Sequence, residues 1–139
     1  MNIILQNYLD KIKSKGHIIT QTRKSILEIF SNHPSPQSAS DILNSLKKNN
    51  ISVDKTTIYR ELEFLLNQNL INEVHFDDGK TRYEATDEKH HHHLICNSCG
   101  NIKDIDIEES NFLSNIESKS RFRVIKHKIE FFGLCINCQ

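Results

Sequence analysis

The sequence contains no long apolar run. The longest, residues 131–136 with Gly133 inside it, falls far short of the ~20 residues that a membrane-crossing helix requires. The N-terminus carries neither the apolar core nor the small-residue cleavage site of a secretory signal, so the expected location is the cytoplasm, with no membrane partner. There is no internal repeat, and no low-complexity stretch beyond His90-His91-His92-His93. Net charge is absent too: 18 Lys and Arg balance 18 Asp and Glu, which by itself gives no hint of nucleic acid. What remains is 139 residues of ordinary globular composition, 37% hydrophobic and 26% charged, enough for one domain or two very small ones.

The balanced charge is unevenly spread. Residues 1–60 hold nine Lys/Arg against four Asp/Glu, whereas residues 61–139 hold nine against fourteen and six of the eight histidines. A basic half suits a polyanion, and an acidic, histidine-rich half suits cations.

The first half has helical periodicity. Ile4, Leu5, Leu9 and Ile12 recur at helix spacing until Gly16, and Ile26, Leu27, Ile29 and Phe30 mark a second helix after Thr20. His33-Pro34-Ser35-Pro36 stops it. Ser38 is an N-cap candidate for a third helix carrying Ile42, Leu43 and Leu46. Asp54 is one for a fourth, with Ile58, Leu62, Leu65 and Leu66 on its apolar face. Strands over 70–76 and Thr81–Ala85, joined by Asp77-Asp78-Gly79-Lys80, follow directly. Helices followed by a hairpin predict a winged helix-turn-helix over residues 1–85. Residues 86–139 read as a small α/β domain, making the whole chain α+β. Its expected strands are 93–96, 101–107 and 123–132, with a helix around Phe112, Leu113 and Ile116.

In a helix-turn-helix the second helix enters the major groove while phosphate contacts fix its position. Here that helix starts at Lys55, and Thr56, Tyr59, Arg60 and Glu63 point away from its apolar face. Thr56 and Thr57 suit phosphates, Tyr59 suits thymine methyls, and Arg60 suits a phosphate or a guanine edge. Lys15 and Arg23 complete the expected DNA-contacting set.

Cys96-Asn97-Ser98-Cys99-Gly100 and Cys135-Ile136-Asn137-Cys138 hold all four cysteines. Two residues between cysteines let both thiolates reach one ion, and two such pairs complete a closed tetrahedral shell. The expectation is one structural Zn2+ at Cys96, Cys99, Cys135 and Cys138; a redox CxxC would not need the second pair. The histidine run adds a second donor type. In extended chain, His91 and His93 share one face and His90 and His92 the other, so one run can serve two sites. Glu84, Asp87 and Glu88 precede the run, Asp104, Asp106, Glu108 and Glu109 follow it, and His127 is expected on a strand face with Ile125 and Ile129. Mixed nitrogen and oxygen donors suit Fe2+, Mn2+ or Zn2+.

Taken together, these residues resemble the ferric uptake regulator family of bacterial metal-dependent repressors. The matching stretches are Gly16 with Thr20-Gln21-Thr22-Arg23, Ser38-Ala39 with Asp41-Ile42, Thr57-Ile58-Tyr59-Arg60-Glu61-Leu62, and Arg82-Tyr83-Glu84. They continue through the run from His90 to Cys96, Cys99-Gly100, His127, and Gly133-Leu134-Cys135 with Cys138. The resemblance implies a homodimer whose C-terminal domain dimerises, and whose corepressor metal closes it onto an AT-rich palindromic operator in double-stranded DNA. It implies a hinge regulatory site of Glu84, His91, His93 and Asp104, and a second site of His90, His92, His127 and Glu108 or Glu109. Three positions depart from the family pattern. Pro36 stands where a hinge histidine is usual, which makes His33 its candidate replacement. His92 stands where Asp is common, and Ile18 where a basic residue is expected.

Thr86 occupies the place of a cysteine found in zinc-sensing members, and Glu84 is the choice of iron sensors. Asp104 is the choice of peroxide sensors. The expected corepressor is therefore Fe2+ or Mn2+, with Zn2+ able to substitute in vitro; peroxide or zinc sensing are the alternatives. A small metal-dependent enzyme is an alternative of another class, but the chain has no nucleophile motif and that account leaves the basic helices without a role. A zinc-ribbon interaction module would have no use for Tyr59 and Arg60.

Overall fold

Four helices of the first half begin at residues that can accept a hydrogen bond from the first turn. In the computed structural model, which describes residues 2–86 and 90–139, these are α1 (Ile3–Ser14), α2 (Gln21–Asn32), α3 (Ala39–Lys48) and α4 (Lys55–Asn67). Thr20 caps α2 through the Arg23 amide, and Asp54 caps α4 through the Thr57 amide at 2.8 Å. At α3 the cap is reciprocal: Ser38 Oγ accepts from the Asp41 amide, and Asp41 accepts from the Ser38 amide. Each cap satisfies an amide that has no partner inside its helix.

The apolar positions of these helices converge on one core. Leu5, Leu9 and Ile12 of α1 meet Ile26, Leu27 and Phe30 of α2, Ile42 and Leu46 of α3, and Ile58, Leu62 and Leu65 of α4. Ile4 lies off this face, 49% exposed, and Tyr8 is buried instead. The hairpin of β2 (Ile71–His75) and β3 (Thr81–Ala85) adds Ile71 and Tyr83, turning at Gly79 with a positive φ of 73°. A two-residue strand not expected from the sequence, β1 (Gln37–Ser38), pairs antiparallel with Tyr83 and Arg82 of β3. The resulting sheet has the order β1-β3-β2. Helices followed by this small sheet make a winged helix-turn-helix.

The chain divides into two compact units, Met1–Thr86 and Asp87–Gln139. Asp87 and Glu88 lie outside the described residues. In the second unit β4 (His92–Cys96) is central, antiparallel to β5 (Ile102–Ile105) and parallel to β6 (Glu130–Gly133). α5 (Ser110–Ser120) lies between β5 and β6 in sequence and buries none of its residues. Among the described residues of this unit no Leu, Ile, Val or Phe is buried.

Two expected strands are shorter here. The stretch 101–107 forms a ladder only over Ile102–Ile105. The stretch 123–132 forms one only from Glu130 onward, so His127 is not on a strand, and Ile125 is 94% exposed. The reason lies in the partners taken: the Ile129 carbonyl accepts from the His92 ring, and the His127 ring meets Glu109.

Candidate metal centres and nucleic-acid face

The four cysteines come together through two turns at the ends of β4 and β6. Gly100 closes the first turn with φ of 75°, its amide donating to the Cys96 carbonyl at 3.0 Å. The Cys138 amide donates to the Cys135 carbonyl at 2.9 Å in the second. The four sulfurs are free thiols within 4.8 Å of one another, with Cys99 and Cys135 Sγ 3.7 Å apart. The amides of Cys99 and Cys135 point at Cys96 and lower its pKa to about 6, favouring the thiolate. Cys138 is drawn down by the Ser98 hydroxyl, but the neighbouring sulfurs and burial outweigh this and push it up to about 11. Crowded sulfurs of this kind are relieved by a divalent cation, and an all-sulfur tetrahedral set suits zinc.

A second constellation joins His90, His92, His127 and Glu109, whose ligand atoms also lie within 4.8 Å of one another. His90 Nε2 is 3.2 Å from both His127 Nε2 and a Glu109 oxygen, and His127 Nε2 is 2.6 Å from that carboxylate. His92 Nε2 faces the other oxygen, Glu109 Oε1, and both atoms are buried without a hydrogen-bond partner. Burial pushes the His92 pKa down, favouring the neutral ring that a metal ligand requires.

The choice between adjacent glutamates follows from local structure. Glu108 is exposed and turned back on its own chain, accepting from the Ser110 amide and hydroxyl. Glu109 stands at the start of α5 without capping it, 8% exposed, its carboxylate among the imidazoles. Glu108 is therefore not part of this cluster. Adjacent acidic residues look alike in sequence, and only the onset of the helix separates them.

The opposite face of the run carries His91 and His93, with ring centroids 5.0 Å apart. His93 lies directly across the ladder from Asp104, whose Oδ1 is 3.6 Å from His93 Nε2 and 4.0 Å from His91 Nε2. Two other expected hinge residues belong to the first unit. Glu84 is partly buried on β3 opposite Asn72, and His33 is exposed at the C-terminus of α2. Pro36, at the usual histidine position, is buried.

On α4, Thr56, Tyr59 and Arg60 are exposed on the side away from Ile58, Leu62 and Leu65, and Thr57 is partly exposed. Lys15 is exposed just after α1. Arg23 departs from expectation. Its guanidinium donates to both Glu61 oxygens, at 2.8 and 3.2 Å, and to the Ile18 carbonyl at 2.6 Å, and lies 3.7 Å over the Phe64 ring. Three of its five N–H donors are thus engaged internally, and Arg23 clamps α2 to α4. No local sequence signal marks the Arg23–Glu61 pair, because its partners are 38 residues apart.

A winged helix with an exposed recognition face, in one chain with clustered thiols and imidazoles, defines a metal-responsive transcriptional regulator. The ferric uptake regulator family pattern matches residues 14–132, and the chain belongs to that family. It is 32% identical over 133 residues to the ferric uptake regulation protein of Bordetella parapertussis, covering 93% of this chain and 94% of that protein. It is 31% identical over 121 residues to the zinc uptake regulation protein of Mycobacterium tuberculosis, covering 86% and 93%. The Helicobacter pylori ferric uptake regulator, described as having three functional metal-binding sites, is similar in structure. The TM-score is 0.81 at 26% identity, over 97% of this chain and 91% of that one. Regulators of this family bind DNA and are dimeric. Among the described residues, no helix is long and apolar enough to cross a membrane.

Proposed function

We propose that the protein is an iron-responsive repressor of the ferric uptake regulator type, binding an AT-rich palindromic operator as a homodimer when loaded with Fe2+ or Mn2+. The observation that carries the DNA part is the outward face of α4: Thr56, Tyr59 and Arg60 are exposed beside a wing whose turn carries Lys80. The dimer is supported by the second unit's apolar surface. Phe131, Phe132, Leu134 and Ile136 are exposed around a groove floored by Leu94 and Ile95, a surface that a second copy would cover.

Cys96, Cys99, Cys135 and Cys138 hold a structural zinc whose closed shell excludes it as the sensor. Sensing falls to His91, His93 and Asp104 with Glu84, and with His33 in the place that Pro36 cannot fill. Ligands drawn from both units make the metal bind the closed arrangement better than the open one, and that differential affinity shifts the population toward the DNA-competent form. Glu84 and Thr86 favour iron over zinc as the corepressor.

The test is a gel-shift titration on an AT-rich palindrome with Fe2+, Mn2+, Zn2+ or chelator. Tight binding with Fe2+ or Mn2+ and weak binding with chelator is expected. No DNA binding by metal-loaded protein at moderate salt removes the repressor reading, and a response confined to Zn2+ or to peroxide reassigns the signal.

A further inference from the structure

The first unit holds a cleft of about 400 Å3 between α3 and the wing. Its walls are the first turn of α3, Tyr59 on α4, the turn carrying Gly79 and Lys80, and Tyr83 on β3. Segments far apart in sequence meet there because β1, which leads directly into α3, pairs with β3 and lays the start of α3 against the wing. The volume lies within the range of small-ligand sites, roughly 300–1,000 Å3.

Tyr83 is the residue this packing leaves unfinished. It is 6% exposed, and its ring belongs to the core of the unit. Buried tyrosine hydroxyls normally find a hydrogen-bond partner. This one has none among the described residues, and it is not sealed from solvent; the open space that Tyr83 borders is the cleft. Burial, then Glu73 and Tyr59, push the Tyr83 pKa above its ordinary 10.0, so the hydroxyl keeps its proton and can donate.

The charges around the cleft leave donors over. Asp41 is turned back on the Ser38 amide at 2.9 Å, and Asp78 is held by the Arg82 guanidinium at 2.7 Å. Lys80 is exposed and makes no ion pair among the described residues. The Ser40 amide lies in the first turn of α3, where the helix offers it no acceptor and the helix dipole favours an anion. Ser40 is itself exposed. A phosphate has acceptor oxygens in several directions, which suits donors converging from separate elements.

We propose that the cleft between α3 and the wing is a phosphate-binding site, with Tyr83 as its buried donor, Ser40 and Lys80 flanking it and Tyr59 at its mouth. The favoured source of the phosphate is the operator backbone, since Tyr59 and Lys80 belong to the face proposed to meet DNA; a free phosphate ester offers the same oxygens. The choice of source rests on that DNA-binding reading, whereas the site does not. A backbone phosphate held there fixes the register of α4 on the duplex without reading a base.

The first arm of the test titrates inorganic phosphate into isotope-labelled full-length protein and follows the amide resonances of Ser40, Gly79 and Lys80. Saturable shifts in wild type that vanish in Tyr83→Phe, a change that keeps the ring in the core, are expected. The second arm scans an AT-rich palindrome with neutral methylphosphonate linkages, one position at a time, against metal-loaded wild type and Tyr83→Phe. The variant should bind the unmodified DNA about tenfold more weakly, the worth of one hydrogen bond to a charged group, with its base preference unchanged. One linkage in each half-site should cost wild type a similar factor and cost Tyr83→Phe nothing further. Such a coupled linkage assigns the operator backbone as the source, whether or not free phosphate binds. Phosphate-induced shifts with equal DNA binding by the two proteins assign a free phosphate ester instead. Neither shifts nor a coupled linkage overturns the proposal. Should Tyr83→Phe fail to fold, Lys80→Ala on the exposed turn takes its place in both arms. Saturable phosphate shifts without any DNA binding remove the repressor reading and leave the site.

Discussion

Arg23 and Glu61 are joined by two hydrogen bonds, Nε to Oε2 at 2.8 Å and Nη2 to Oε1 at 3.2 Å, which tie α2 to α4. Both side chains are mostly buried, so removing one strands the other's charge. Arg23→Ala is expected to cost about 2–3 kcal/mol of first-unit stability, the range for a charged hydrogen-bonded pair. Urea denaturation checks this. A normal midpoint with weakened DNA binding would instead return Arg23 to the DNA face.

Tyr59 and Arg60 should behave in the opposite way. Each is exposed on α4, so alanine there leaves the melting temperature within a degree or two while weakening operator binding by about 1–3 kcal/mol for Arg60. Fluorescence anisotropy at several salt concentrations separates the roles. A shallower salt dependence in Arg60→Ala means a phosphate contact, and relaxed sequence preference means a base contact.

His91→Ala should abolish the response to Fe2+ or Mn2+ while keeping the zinc of the four cysteines, since the His91 ring faces His93 and Asp104. The measurement is operator affinity with and without metal. An unchanged metal response would remove His91 from the sensing site.

Stripping the cysteine site should be more drastic. Cys96→Ser, or a strong thiol-competitive chelator, removes the link between the turns that follow β4 and β6. Because no aliphatic residue is buried among the described residues of this unit, metal binding and folding are expected to be coupled there. The expected result is loss of the dimer by gel filtration and a second unit open to proteolysis, with the first unit still folded. A dimer that persists without zinc would contradict this.

Acid should loosen α4 through its cap. The Thr57 hydroxyl and amide hold the Asp54 carboxyl below its ordinary value of 3.8. A carboxyl with a lowered folded-state pKa stabilises fully above the unfolded value, and that contribution is lost as pH falls through 3.8 toward the lower folded value. Asp54→Asn keeps a capping oxygen without the charge, so its stability should vary less with pH between 5 and roughly 3. Parallel acid titrations of helicity in the two proteins test it.

Much of the fold was readable locally. Helix spacing of Ile26, Phe30, Ile42, Leu46, Ile58, Leu62 and Leu65 marks the core, and Thr20, Ser38 and Asp54 mark helix starts, because both signals depend on residues a few positions apart. The split of the histidine run into two faces follows from strand alternation alone, and the paired CxxC spacing announces a four-sulfur site.

Other features depend on partners far along the chain. Which of Glu108 and Glu109 joins the imidazoles was decided by where α5 begins, and whether 123–129 is a strand by the contacts that Ile129 and His127 make instead of a ladder. Arg23 reads as a free cation until α4 folds against α2 and brings Glu61 to it. The sequence by itself determined which donors exist and which of them share a face, because those are properties of spacing. Only the tertiary structure decided which charges are already engaged, because an ion pair or a metal cluster is a meeting of segments that no local pattern records.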